Sequence, residues 1–374
     1  MGGVNPLIPF LVAAVLVTLS AVFDRSHVVP AVVAWLAVLL FNESPPASAL
    51  LVIVVMIVAI VTAVRAIRGR KGKVLVATSA GAAVMFVAGF VVAAVPPVSN
   101  DALQPRASAA QGVYVHTGGS RLAITRWMHA MVEIQSEDDR ILTDPWWSSR
   151  RHYDPGESLG VEATSLRGVT LMTSGQDHYD HSDFEALKDA PRSTPILVPD
   201  GTTQASRATA AGFSSVTPMH PWETMERGHV RVTAIPAREG VKSTDFDYET
   251  AWLYEIAGRR VLFVGHRLAP EVAAEIVKRS GPVDVALLAI NDLRVRPQLG
   301  KQLSMSPKDA AEIVRATEAR VAIPIHYRYH GSWIQEALLL SHKGTPEEFA
   351  DEVRKVSPRT IVEILAPGQP LVLD

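Results

Sequence analysis

The stretch Gln176-Asp177-His178-Tyr179-Asp180-His181-Ser182-Asp183 constrains this chain more than any other. It follows a short apolar run, Gly168-Val169-Thr170-Leu171-Met172, which reads as a buried strand. Ser182 and Glu185 make an S-x-x-E pattern, which predicts a capping box and a helix starting directly after His181. Two imidazoles and two or three carboxylates then share one tight strand-to-helix loop. A lone loop histidine is ordinarily just solvated. His-x-Asp-His at this spacing instead suits a zinc, manganese or iron site.

One loop cannot close a coordination sphere, so its partners must come from elsewhere in the chain. The 374 residues are too many for one ordinary domain. The sequence is 48% hydrophobic with a mean hydropathy of +0.17, and nearly all of that excess lies before Pro96. A net charge of -2 gives no basic field, so nucleic acid is not an expected partner. The absence of cysteine excludes thiolate ligands, a cysteine nucleophile and disulfides.

Residues 1–97 read as an all-α transmembrane region of three or four helices. The runs 7–23, 49–64 and 74–95 are apolar, and the last suffices for a hydrocarbon core of roughly 30 Å. The run 28–41 is shorter and reads as a tilted span or a re-entrant hairpin. Met1 to Pro6 carries no positive charge, which argues against a cleaved signal peptide. Arg65, Arg68, Arg70, Lys71 and Lys73 crowd one link, and the positive-inside rule puts that link in the cytoplasm. Everything after the last run then lies on the other side. The expectation is a multi-pass protein of a bacterial inner or cell membrane with an extracytoplasmic C-terminal domain. Membrane lipids are its expected partners.

Pro96-Pro97 ends the apolar part, and residues 98–111 read as a linker. In the domain 112–374, strands are expected over 122–127, 131–135, 140–143, 196–198, 230–235, 251–256, 261–264, 285–290 and 321–325. Ser306 caps a helix with Pro307 at its first position and Asp309 in its first turn, and Thr345-Pro346-Glu347-Glu348 opens the last helix likewise. Strands followed by helices, with polar residues at strand ends, fit an α/β fold with a two-sheet core and helices outside. Candidate donors sit at those ends: His178, Asp180, His181, Glu239, His266 and His326.

The chain here resembles the metallo-β-lactamase superfamily, in the branch of ascorbate-phosphate lactonase and N-acyl-phosphatidylethanolamine phospholipase D. The landmarks are Trp127-Met128-His129-Ala130, Ile141-Leu142-Thr143-Asp144-Pro145, Gln176 to His181, Pro236-Ala237-Arg238-Glu239, Gly265-His266, Met305 to Ala310 and Pro324-Ile325-His326-Tyr327. The resemblance implies an αββα sandwich and, in the family, two metals. One metal takes the first two motif histidines and the histidine after Pro-Ala-x. The other takes the motif aspartate, the third histidine and the late histidine, with an aspartate after glycine as bridge. Here the second set is intact as Asp180, His181 and His326. The first set reads Gln176, His178 and Glu239, and the bridge position is His266.

The resemblance therefore implies one firm divalent ion, zinc first and manganese or iron next, on Asp180, His181, His326 and His266. A second, weaker ion would fall to His178 and Glu239. Asp180 or Glu239 would orient or deprotonate water, and His129 and Asp144 would brace the ligands. The implied function is a membrane-anchored hydrolase of an ester, lactone, amide or phosphodiester, working on a small-molecule or lipid substrate. The altered positions leave an alternative: a catalytically lapsed binding or sensor domain on a membrane anchor. Arg238, Arg267, Arg328 and His330 read as a solvated rim or an anion-binding one. Trp146, Trp147 and Trp222 read as packing residues, and His116, His152, His220, His229 and His342 as surface or core.

Overall fold

A computed structural model describes residues 113–115, 120–148, 155–237, 249–295, 300–331, 336 and 340–374. The expected membrane region, the linker, Arg238 and Glu239 fall outside these residues, as do His116 and His152. Among the described residues no helix is long and apolar enough to cross a membrane.

Two sheets carry the fold. The first runs Val113–Val115, Pro370–Leu373, Leu122–Met128, Met131–Gln135, Arg140–Thr143, Leu171–Thr173, Ile196–Pro199 and Val216–Met219 from edge to edge. The second runs Ile361–Val362, Val321–Ile325, Val285–Ala289, Arg259–Val264, Thr250–Ile256, Val230–Pro236 and Thr224–Arg227. Three short strands, Lys301–Gln302, Arg294–Val295 and Leu340–Ser341, form a small separate sheet.

Alternation along the strands decides the layering, because successive side chains point to opposite faces. Trp252, Tyr254, Phe263, Leu287 and Ile323 point between the sheets and meet Ile124, Val132, Ile134 and Ile141. Their neighbours Leu253, Leu262, Ala286 and Ala322 point the other way. That outer face is covered by three amphipathic helices, α2 (Pro270–Ser280), α3 (Pro307–Ala316) and α4 (Pro346–Val356), through Ile276, Ile313 and Phe349. On the far side of the first sheet, Met131, Leu142 and Met172 pack under Phe184, Leu187 and Ala208, the last from α1 (Gln204–Ala210). The layers are thus helix, sheet, sheet, helix.

Three expectations need correcting or completing. The helix expected after His181 is only a 3-10 turn, Phe184–Ala186, and there is no capping box. Ser182 Oγ donates instead to the His178 carbonyl at 2.8 Å, and Glu185 faces Arg207. The strand expected over 168–172 begins at Leu171, because Val169 N–H closes a turn onto the Leu166 carbonyl and buries both side chains. Helix α2 was not anticipated, since its N-cap is Ala269, which offers no capping side chain.

Candidate metal centre

The centre forms where strands of both sheets end along one edge. His129 occupies the turn between Leu122–Met128 and Met131–Gln135, Asp144 follows Arg140–Thr143, and His326 follows Val321–Ile325. All three take left-handed backbone, with φ of 51°, 41° and 57°. That conformation is uncommon for residues with a side chain and collects at sites that surrounding structure holds in place. Here His326 N–H donates to the His129 carbonyl at 3.2 Å, and Asp144 N–H to the Thr173 carbonyl at 2.9 Å. The first of these bonds ties one sheet's edge to the other's.

The loop 176–183 is fixed from several directions. Ser174 Oγ donates to the His181 carbonyl at 2.6 Å. Arg207 of α1 donates to the carbonyls of Asp177 and Ser182, each at 2.9 Å, and stacks over Tyr179. Asp183 accepts from the backbone of Trp147 and Ser148. An apolar strand followed by a loop with this many anchors can hold polar side chains in a buried place.

Four donors converge: His129, Asp180, His181 and His326, all buried, with one ligand atom from each within 4.8 Å of the others. His129 Nε2 and His181 Nε2 each lie 3.3 Å from Asp180 Oδ2, His326 Nε2 lies 3.6 Å from it, and the Nε2 atoms of His181 and His326 are 3.2 Å apart. Donors on a tetrahedral ion at bond lengths of roughly 2.0–2.1 Å stand about 3.4 Å apart. Asp180 Oδ1 is also buried without a hydrogen-bond partner, as are the Nδ1 atoms of His129 and His326. An unpartnered buried carboxylate oxygen is costly, and a cation held by Asp180 offsets that cost. The residues present fit a divalent ion.

The tautomer of His181 follows from its partner. Its Nδ1 lies 2.6 Å from Asp144 Oδ2, and a carboxylate only accepts, so Nδ1 carries the proton and Nε2 faces the cluster. His266 repeats this arrangement. Its Nδ1 lies 3.1 Å from Glu249 Oε1 and its Nε2 3.2 Å from His326 Nε2. Glu249 is brought there by two backbone bonds, Ala237 N–H to its carbonyl and Thr250 N–H to the Gly175 carbonyl.

Charge is distributed unevenly over the cluster. Burial disfavours a charged His181, but Asp180 and Asp144 outweigh it and push the imidazole up to about 10. Burial would raise Asp180, yet His181 and the hydrogen bonds of His129 and His326 hold it well below the usual carboxylate range. Burial, with repulsion from neighbouring imidazoles, keeps His129 and His266 well below the usual histidine value, and His326 below it as well. Without an ion His181 is thus the charged imidazole, and His129, His266 and His326 are neutral beside one anionic carboxylate.

The expected site residues distribute as follows. Asp180, His181 and His326 meet, and His266 adjoins them. His178 stands further out, its ring 5.9 Å from that of His266, and Gln176 is buried. Asp144 braces His181 as expected. His129 does not merely brace, since its Nε2 is one of the four converging donors; the sequence signal was present in Trp127-Met128-His129-Ala130, but its reach depends on the left-handed turn. Glu157 and Glu249 were not anticipated. Glu157 accepts from His129 N–H at 2.8 Å and pairs with the buried Arg126. Trp146 packs edge-on against His129, and Arg267 is spent on the Gln302 carbonyl.

Known proteins resemble this chain. An uncharacterised protein of Mycobacterium tuberculosis is 24% identical over 225 residues, 56% of this chain and 59% of its own length. The chain therefore spans well under two thirds of that relative. A metal-dependent hydrolase of Caldivirga maquilingensis is 26% identical over 260 residues, 66% of this chain and 97% of its own. Among solved structures, a possible metal-dependent hydrolase of Veillonella parvula superposes with a TM-score of 0.53 at 17% identity, over 68% of this chain and 99% of its own, and so shares the fold. Residues 139–327, just over half the chain and spanning the motif loop through His326, match the model of the beta-lactamase superfamily domain, and the chain belongs to that family.

Proposed function

We propose that this chain is a metal-dependent hydrolase, with a single divalent ion held by His129, Asp180, His181 and His326. The convergence of three imidazole Nε2 atoms and one carboxylate within 4.8 Å, all on buried side chains, carries the reading. The name of the Caldivirga relative supports it. Zinc suits the donor set best, and manganese and iron also accept it. A bound ion supplies Lewis acidity, polarising a carbonyl or phosphoryl oxygen and making water more acidic. The ester, lactone, amide or phosphodiester class of substrate follows from that chemistry.

The chain's own residues handle orientation and protons. Asp144 keeps the proton on His181 Nδ1 and so keeps Nε2 turned inward. His266, backed by Glu249 at Nδ1, turns Nε2 towards the cluster, where it can accept a hydrogen bond from water and orient it. The apolar runs within residues 1–97 motivate a membrane anchor, with membrane lipids as neighbours and a lipid or envelope substrate. A reporter fused after Asp374 tests the anchor's orientation, and activity of a cytoplasm-only reporter there would overturn it.

Metal content tests the centre. Purified protein should carry stoichiometric metal and hydrolyse activated ester or phosphodiester probes, and His181→Ala should lose both. A wild type that takes up no metal at micromolar concentrations overturns the enzyme reading and leaves a lapsed binding domain in its place.

A further inference from the structure

A second group of donors lies outside the centre just described. His330, Glu336 and His342 each offer one ligand atom, and these atoms all lie within 4.8 Å of one another. His342 Nε2 stands 2.6 and 2.8 Å from the two carboxylate oxygens of Glu336. As it stands this is a hydrogen-bonded Glu–His pair, with the carboxylate already turned towards the imidazole nitrogen that would share a cation with it. The His330 ring lies 5.7 Å from the His342 ring, at 69° to it.

The backbone holds this group in place. Gly331 N–H donates to Glu336 Oε1 at 2.7 Å, which fixes one carboxylate oxygen. Gly156, at φ +67°, presses so close that an added Cβ would stand 2.8 Å from His330 Cδ2 and 1.9 Å from the Arg328 carbonyl. Accessibility is graded: the Glu336 and His342 side chains are 33% and 15% exposed, and His330 is open to solvent. An ion can therefore enter from solvent and keep a water ligand. The buried Tyr329 separates this group from the first, its ring 6.3 Å from His129 and 6.0 Å from His342.

We propose that His330, Glu336 and His342 form a second divalent-cation site of zinc type, separate from the hydrolytic centre. Two imidazoles and a carboxylate are a borderline-soft N/O set that prefers zinc to magnesium or calcium. Bond lengths of roughly 2.0–2.2 Å place such donors about 3.4 Å apart, so small side-chain rotations suffice to close the site. The ion ties the turn after His326 to the strand Leu340–Ser341 and clamps Tyr329 against His129.

The test is zinc stoichiometry on the full chain, stripped with chelator and equilibrated with zinc at low micromolar concentration. His342→Ala and Glu336→Gln should each carry one equivalent less than wild type, and His181→Ala should lose zinc independently of them. Glu336→Gln keeps the side chain's size, and its circular dichroism guards against misfolding. Loss of one equivalent in folded Glu336→Gln supports the site. Wild-type zinc content in folded Glu336→Gln or in His342→Ala overturns it, leaving a hydrogen-bonded Glu–His pair. A chain whose zinc is lost in His181→Ala alone overturns this site and keeps the hydrolytic centre. Loss confined to the Glu336 and His342 variants does the reverse.

Discussion

At the scale of single residues the centre depends on atoms that have no room to move. Gly265 shows this best. A Cβ there would stand 2.6 Å from Asp144 Oδ2 and 3.4 Å from His181 Nδ1, so it would wedge into the hydrogen bond that orients the imidazole. Gly265→Ala should leave the fold intact but weaken metal binding by about 10-fold or more, the cost typical of losing a ligand's outer partner. Asp144→Asn should cost about 10- to 100-fold in metal affinity, because a neutral amide neither fixes the tautomer as firmly nor supplies charge. Competition with a chelator of known affinity measures both, and an unchanged Kd in Asp144→Asn would remove its orienting role. Asp180, His181 and His326, which the fold brings together, and His266 beside them were legible as candidates from residue type and position at strand ends. His129 was legible as a residue of interest, but its role as a donor was not, because that needs a backbone conformation no local pattern announces. Glu249 and Glu157 reach their histidines across 17 and 28 positions of sequence, and neither carries a motif.

At the scale of elements, local signals worked where side chains and backbone answered each other nearby. Ser306 caps α3 as read: its Oγ accepts from Asp309 N–H at 3.2 Å while Asp309 Oδ2 accepts from Ser306 N–H at 3.1 Å. The same letters failed at Ser182 and Glu185, where tertiary partners outbid the cap. Burial would raise the Asp309 carboxyl, but bonds from Gln302 and Ser306 hold it below its usual value. The ionised form is thus favoured in the folded chain. Its contribution to stability is complete above the unfolded carboxylate pKa of about 3.9 and is lost as pH falls through the depressed folded value. Asp309→Asn should therefore lower the urea midpoint at pH 7, and the gap to wild type should close as pH drops below about 4. An equal gap at both pH values would assign the effect to shape rather than charge.

At the scale of the molecule, the layered core was legible from the order of strands and helices and from the family resemblance, but the closing of the first sheet was not. Strand Pro370–Leu373 lies between Val113–Val115, parallel, and Leu122–Met128, antiparallel. These pairings join residues more than 240 positions apart, and three- and four-residue strands leave little periodicity to read. Yet the strand is structural. Leu371 and Leu373 are buried between the sheets, and Val372 is buried on the other face. Each such side chain is worth about 1.5–3 kcal/mol, and the ladder to Leu122–Met128 goes with them. A chain ending at Pro367 should then lose a large part of a total stability of about 5–15 kcal/mol. Leu371→Ala alone should cost about 2–5 kcal/mol and still fold. The expected result is a lowered Tm for Leu371→Ala and no cooperative transition for the shortened chain. Because Leu122–Met128 leads directly into His129, the shortened chain should also bind no metal at the centre. A shortened chain that melts within a few degrees of the full one would mean that the sheet closes without its last strand.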